Sequence, residues 1–336
     1  MSNNTDLKRL VRSMKDQEAQ AQSHDDILNV VNMAIDYDGE LKYQHGLSYT
    51  GLIAGLLLLI GCGLYFYDSY RVPEYFYALV VTIFVVTACF GWGIYSKEND
   101  ISKLSRSLFE KDMMLDNNIE NIDLDSHKAG ELQNTYSEFK RGNYLREFKR
   151  FWRINESEHS ESALYYHFHY VDQQTQIVTE SDGKGGSRTR TDITYHHYDR
   201  YGLVFDFKYG AGLSINSSGE TRNPVHYKPS YGKFNSVFSI GANSEQDAAK
   251  YLKPALVEKV VTLASRFEFL NIQISNDGQM LIAFSDAMLN ETEQQYDLKE
   301  PEKFHHELKQ HTVIENLKAA NDLVALFTRY LDNNFE

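Results

Sequence analysis

Two apolar runs dominate the hydropathy pattern of this chain. One extends from Leu47 to Tyr67 and the other from Tyr75 to Tyr95. Each is about twenty residues long, so a helix through either would measure roughly 30 Å, the thickness of a bilayer's hydrocarbon core. Neither run holds a charged residue, and the break between them carries Asp68, Arg71, Pro73 and Glu74. The pattern predicts a membrane hairpin of two spanning helices with a very short connection. Aromatic residues gather at the ends: Tyr49, then Tyr65, Phe66 and Tyr67, then Tyr75, Phe76 and Tyr77, then Trp92 and Tyr95. Such rings favour the headgroup level. Gly51 and Gly55 form a small-xxx-small pair that permits close helix approach. Apart from the tyrosines at the ends, Cys62 and Cys89 are the only ionisable groups inside the runs, which leaves no proton or ion pathway there.

Before the hairpin the period is helical. Leu7, Leu10, Val11 and Met14 make one stripe, and Ile27, Val30, Val31, Ala34 and Ile35 make a second. Ser23 and Asp26 have the spacing of a capping box. After the hairpin, Ile101, Leu104 and Leu108 keep helical spacing to about Asp116. Residues 117–130 read as an acidic linker and 131–153 as a helix. From Ser162 the period becomes two, with Leu164, Tyr166, Phe168 and Tyr170 on one face and Tyr165, His167 and His169 on the other. The strand continues to a Gly-rich turn at Ser181 to Ser187 and returns through RTRTDITYHHY, a long antiparallel hairpin. RYGLVFDFKY continues as a strand, and 210–230 reads as a loose stretch. FNSVFSI (Phe234 to Ile240) is predicted as a strand. A helix follows over about Ser244 to Phe267, broken by Pro254. Two strands then meet at Asn276-Asp277-Gly278, and a final helix runs from Phe304 to Tyr330.

The fold class is therefore α+β. The chain divides into N-terminal helices (1–46), the hairpin (47–95), a helical region with an acidic linker (96–160) and an α+β domain (161–336). The chain has 336 residues and a formal net charge of -13, which argues against a nucleic-acid-binding body. Lys8, Arg9, Arg12, Lys15 and Lys42 precede the first run, and Lys97, Lys103, Arg106 and Lys111 follow the second, against Arg71 alone in the break. Basic flanks stay cytoplasmic, so both termini are expected on that side, with the hairpin an uncleaved anchor. Both cysteines lie in the apolar runs, so the rest of the chain has no disulfide framework and no cysteine metal site.

One segment inverts the charge. KRGNYLREFKRFWR holds Lys140, Arg141, Arg146, Lys149, Arg150 and Arg153 among aromatic residues. Read as a helix, these six cations are expected to contact anionic lipid, with nucleic acid the weaker alternative. His167 and His169 share a strand face that His196, His197 and His226 could join as metal ligands. No diagnostic histidine–carboxylate motif accompanies them, and the expected role is structural. The GKGGS segment lacks the order of a phosphate-binding loop and reads as a hairpin tip. No catalytic, cofactor-binding or metal-ligating residue is assigned.

Three features resemble the bacterial membrane proteins grouped as the DUF3137 family. They are the N-terminal helices with paired spans, the strand YDRYGLVFDFK, and FNSVFSIGANSEQDAAKYLKPALVEKVVTLASRF with the NDGQMLIAF hairpin. The family pattern is interrupted by Tyr201, between Arg200 and Gly202, and by the long Thr- and His-rich hairpin. The resemblance implies an inner-membrane location and an α+β cytoplasmic domain, and it carries over no catalytic residue. The leading expectation is a membrane-anchored interaction or scaffold protein with a protein partner or a second copy. The alternatives are a membrane-bound hydrolase or metal-dependent enzyme using the histidine-rich sheet, and a subunit of a transport assembly.

Overall fold

A computed structural model describes residues 2–68, 73–156, 162–181, 187–209, 212–290 and 292–331. In chain order its elements are α1 (Ser2–Gln20), α2 (His24–Ile35), α3 (Gly46–Asp68), α4 (Glu74–Asp116), β1 (Ile119–Ile122), α5 (Ser126–Thr135), a 3-10 turn (Ser137–Lys140), β2 (Leu145–Ile154), β3 (Ala163–Ser181) and β4 (Ser187–Asp206). They continue with β5 (Leu213–Asn216), β6 (Val225–Tyr227), α6 (Gly232–Val237), β7 (Ser239–Ala242), α7 (Glu245–Tyr251), α8 (Pro254–Ala264), β8 (Asn271–Ile274), β9 (Gln279–Phe284), a second 3-10 turn (Met288–Asn290), α9 (Pro301–Leu308) and α10 (Glu315–Leu331). Two compact units result: residues 1–115 with 293–312, and residues 116–292 with 313–336. The boundary thus falls at the end of α4, and α9 returns to the first unit.

In the first unit, α3 and α4 are long and apolar enough to cross a membrane. Few of their apolar side chains are covered by protein; Leu57, Leu64, Val81 and Phe84 are more than half exposed. The two helices meet through small residues. A Cβ at Gly55 would overlap the Thr87 hydroxyl, and one at Gly51 would press on the Phe90 ring at 2.8 Å. At the other end Phe76 packs on Tyr65 and Phe66, with centroids 4.8 and 5.1 Å apart. Helix α4 does not stop where its apolar run stops. Its 43 residues form one rod of about 64 Å. The polar-flanked part of that rod supplies Ile101, Leu104, Leu108 and Phe109 to a core shared with Leu7, Val11 and Met14 of α1 and Ile27, Val30, Val31 and Ala34 of α2. Phe304 and Leu308 of α9 complete it. Both N-terminal stripes therefore find their partner within the chain. Ser23 forms the capping box, accepting from Asp26 N at 3.2 Å while its own N–H donates to Asp26 Oδ2 at 3.0 Å.

The second unit is built on one nine-stranded antiparallel sheet of order β1-β2-β3-β4-β9-β8-β5-β7-β6. One face of its first half carries Phe148, Phe151, Tyr166, Phe168, Tyr170, Val204, Leu281 and Ala283, under Leu132, Tyr136 and Phe139. Phe139 is the centre of this cluster, its ring 4.8 to 5.2 Å from those of Phe148, Tyr166 and Phe168. Pro254 separates α7 from α8 and opens α8 at its first turn. The β8–β9 hairpin turns through Gly278 at φ +86, a conformation that favours glycine.

The structure corrects several sequence-based expectations. The helix predicted over 131–153 is the end of α5, a 3-10 turn and strand β2. Gly142, at φ +77, turns the chain there. A bulge between Phe148 and Arg150 then disguises the strand. The extra residue sets Phe148 and Phe151 on the same face at a spacing of three, which imitates a helical stripe. The segment predicted as an acidic linker contains β1 and the first half of α5. FNSVFSI is not one strand: α6 places Phe234 and Phe238 side by side, ring centroids 4.9 Å apart, before β7 begins. The final helix is two helices, α9 and α10, separated at 309–314. The stretch read as loose contains β5, a fully buried strand between β8 and β7.

Candidate functional site

The most distinctive feature of the sheet is the length of β3 and β4. They pair without interruption from Ala163↔Phe205 to Ser181↔Ser187. Their neighbours are much shorter: β2 ends its pairing at Leu145↔Val171, and β9 pairs only with 201–206. Residues 172–181 and 187–196 therefore form a two-stranded ribbon. Ten residues of strand extend about 33 Å. Among the described residues, no third strand pairs with either edge of this ribbon. Its root is closed on one side by Asn143, whose side chain substitutes for a strand: Nδ2 donates to Gln173 O at 3.1 Å and Oδ1 accepts from Gln173 N at 2.7 Å. Tyr144 lies against Tyr195, ring centroids 4.8 Å apart. The Gly-rich tip, 182–186, lies outside the described residues.

The register sorts the ribbon into two unlike faces. Gln173, Thr175, Ile177 and Thr179 oppose Tyr195, Ile193, Thr191 and Thr189 on one face. Asp172, Gln174, Gln176 and Val178 oppose His196, Thr194, Asp192 and Arg190 on the other. The first face is neutral and rich in Thr, Ile and Tyr. Ile177 is 73% exposed and Ile193 50% exposed, side chains that a strand buried on that face would normally cover.

Where the ribbon joins the sheet, His167, His169 and His197 come together with Asp199. Asp199 Oδ1 contacts His167 Nε2 at 2.7 Å and His169 Nδ1 at 2.9 Å. His169 Nε2 lies 3.2 Å from His197 Nδ1. An ionised carboxylate only accepts, so the nitrogens of His167 and His169 that face Asp199 carry protons. His169 Nε2 and His197 Nδ1 share one further hydrogen bond. The result is a hydrogen-bonded chain linking His197, His169 and Asp199, with His167 as a second donor to the carboxylate. Burial alone would raise the Asp199 carboxyl, but the hydrogen bonds from His167 and His169 outweigh it and hold its pKa below the ordinary carboxylate value. His167 also stacks on Tyr201 at 4.5 Å. Of the five histidines considered together from sequence, His196 sits on the opposite face beside Gln174 and His226 lies near Thr221 on β6.

Beneath the other face lies a buried ion network. Glu138, on the 3-10 turn, is 1% exposed. Its Oε1 accepts from Arg200 Nε at 2.6 Å and pairs with Arg141 Nε at 2.9 Å, and its Oε2 accepts from Asn271 Nδ2 at 2.6 Å. Arg200 also donates to Ser285 Oγ at 2.7 Å and Phe269 O at 2.9 Å. Arg141 donates to Ser218 O at 2.6 Å. Burial acts to raise the Glu138 carboxyl, but the Arg200 and Arg141 charges and the hydrogen bonds overcome it, and the pKa is lowered. Gly202, two residues beyond Arg200, leaves room for the Tyr166 hydroxyl, 2.5 Å from where a Cβ would stand.

This geometry redistributes the six cations expected to line one helical flank. Arg141 is an internal partner of Glu138. Arg146 donates to the Arg141 carbonyl at 2.7 Å. Lys149 pairs with Glu147, and Arg153 lies 4.0 Å from Glu120. Arg150 is exposed, and Lys140 sits on the 3-10 turn. Sequence reasoning found the histidines but missed Asp199, Glu138 and Arg200, because each acts through partners remote in sequence. No family model, curated protein or solved structure matches this chain.

Proposed function

We propose that this chain is a membrane-anchored interaction protein whose β3–β4 ribbon docks a protein partner. The observation that carries the reading is the ribbon itself: ten residue pairs with neither edge paired among the described residues. Unpaired strand edges expose a row of backbone donors and acceptors, and an extended partner segment satisfies them by strand addition. Thr, Ile and Tyr on one face supply the side-chain contacts. The anchor is the α3–α4 pair, inserted in the inner membrane of a bacterium with both termini cytoplasmic, as the basic flanks favour. Arg150, exposed on β2, is the cation most available to anionic headgroups; Lys149 and Arg153 are exposed there but lie beside Glu147 and Glu120. Photo-crosslinking residues placed at Ile177 and Ile193 in native membranes test the proposal. A discrete adduct is expected from both, and the adducted partner should no longer co-purify with the chain when 174–194 is replaced by Asn-Gly. Absence of any adduct at either position, with the chain intact and membrane-bound, would falsify it.

A further inference from the structure

Beside the 3-10 turn, the second unit contains an open cavity of about 440 Å³ lined largely by polar residues, within the range of small-molecule sites. Its wall is assembled from five separate parts of the chain: Tyr136 and Lys140, Ser214 of β5, Arg222 and Asn223, Asn243, and the β8–β9 turn with Asp277. Two observations mark it as a built site. The first is the Tyr136 hydroxyl. Tyr136 is 1% exposed, and its hydroxyl has no aligned hydrogen-bond partner. The Ser275 hydroxyl is the polar group nearest it; it accepts from Gln279 N–H at 3.0 Å and donates to the Gln279 carbonyl at 3.2 Å, which leaves one lone pair. Burial pushes the Tyr136 phenol up, so it stays protonated and keeps an O–H to donate at the cavity wall. The second is charge. Lys140 and Arg222 both line the cavity, and neither has an ion-pair partner among the described residues. Two cations face one lining carboxylate, Asp277.

Donor types decide the chemistry of the occupant. A guanidinium, an ammonium and a phenol lining one cavity suit a phosphoryl group, which offers several oxygens to several donors. Asn223 and Asn243 have each placed an amide N–H, on Gly212 O at 2.7 Å and Asn276 Oδ1 at 2.8 Å. That orders the amide groups without closing the cavity. Asp277 is an acceptor only, the complement of a hydroxyl group. We infer that this cavity binds the phosphate monoester of a small hydroxylated molecule, with Lys140, Arg222 and Tyr136 on the phosphoryl oxygens and Asp277 on a hydroxyl.

Calorimetric titration of the purified full-length chain in detergent tests this with glucose 6-phosphate, glycerol 3-phosphate and glucose. At least one phosphate ester is expected to bind saturably, with glucose about tenfold weaker or more. The double variant Lys140→Gln, Arg222→Gln should lose about tenfold or more in affinity with its thermal midpoint unchanged, because neither side chain has an internal ion pair to lose. Tyr136→Phe should weaken binding severalfold while the free protein stays as stable. Displacement of the bound ester by phosphatidylglycerol vesicles would identify the source as a lipid headgroup; no displacement would identify a soluble ester, and either leaves the site assignment standing. Failure of both esters to bind, or binding undiminished in the double variant, overturns it. None of these readouts depends on the ribbon or its partner.

Discussion

Single residues carry very unequal weight in the second unit. Glu138 is the clearest case. Two guanidinium groups converge on one buried carboxylate, and removing it leaves Arg200 buried without its counter-charge. Such losses cost about 3–5 kcal/mol. Glu138→Gln is therefore expected to lower the unfolding midpoint of the sheet unit sharply in urea titrations. The sign of the pH dependence follows from the lowered Glu138 pKa. Its stabilisation is complete above the unfolded value of about 4.3 and is lost as pH falls through the folded one. Acid unfolding of the parent chain should steepen below pH ~4, and that component should vanish in Glu138→Gln. Asp199 has two imidazole partners but is 47% exposed, so water screens the contact. Asp199→Asn should change stability by under ~1 kcal/mol in the same titration. A loss as large as that of Glu138→Gln would show that the histidine chain supports the fold.

At the scale of elements, the helical pair and the ribbon make opposite demands. α3 and α4 need a close seam, and only part of α3 supplies it. Gly55 abuts Thr87, whereas nothing lies within 4 Å of a Cβ built at Gly61. Gly55→Ile is expected to lower the detergent-denaturation midpoint of the helical unit, and Gly61→Ile to leave it in place. Equal effects would mean that the seam is not where the two helices meet. The ribbon, by contrast, buries little. Among the described side chains, replacing 174–194 with Asn-Gly removes mostly exposed ones, so the thermal midpoint should hold within a few degrees. A large fall would make the ribbon part of the domain's own stability.

At the scale of the whole molecule, the distribution of Lys and Arg predicts one topology. In a background lacking Cys62 and Cys89, a membrane-impermeant thiol reagent applied to intact cells should label Glu74→Cys and spare Lys318→Cys. Labelling of Lys318→Cys alone would reverse the orientation. The continuity of α4 adds a structural element to this picture. One rod carries both the apolar run and the stripe that α1, α2 and α9 pack against. The core of the first unit is thereby joined covalently, without a loop, to the helix proposed to cross the bilayer.

What the sequence determined by itself was whatever depends on neighbours in the chain. Periodicity placed α1, α2, the two apolar helices, the β3–β4 and β8–β9 hairpins and the break at Pro254, because each rests on local hydropathy, a cap or a turn. Tertiary structure decided the rest. Strand β2 was hidden by a bulge whose effect exists only in register with β3. Strand β5 carries the buried polar residues Ser214 and Asn216, which read as loop until their partners are known. The break between α9 and α10 has no proline or glycine to announce it. His167 and His169 were legible as a pair on one face, but their carboxylate lies 30 or more residues away, across a strand pairing. Glu138, Arg141, Arg200 and Asn271 look like ordinary surface residues in sequence. Only folding removes them from water, and only in a low-dielectric interior does each become indispensable to the others.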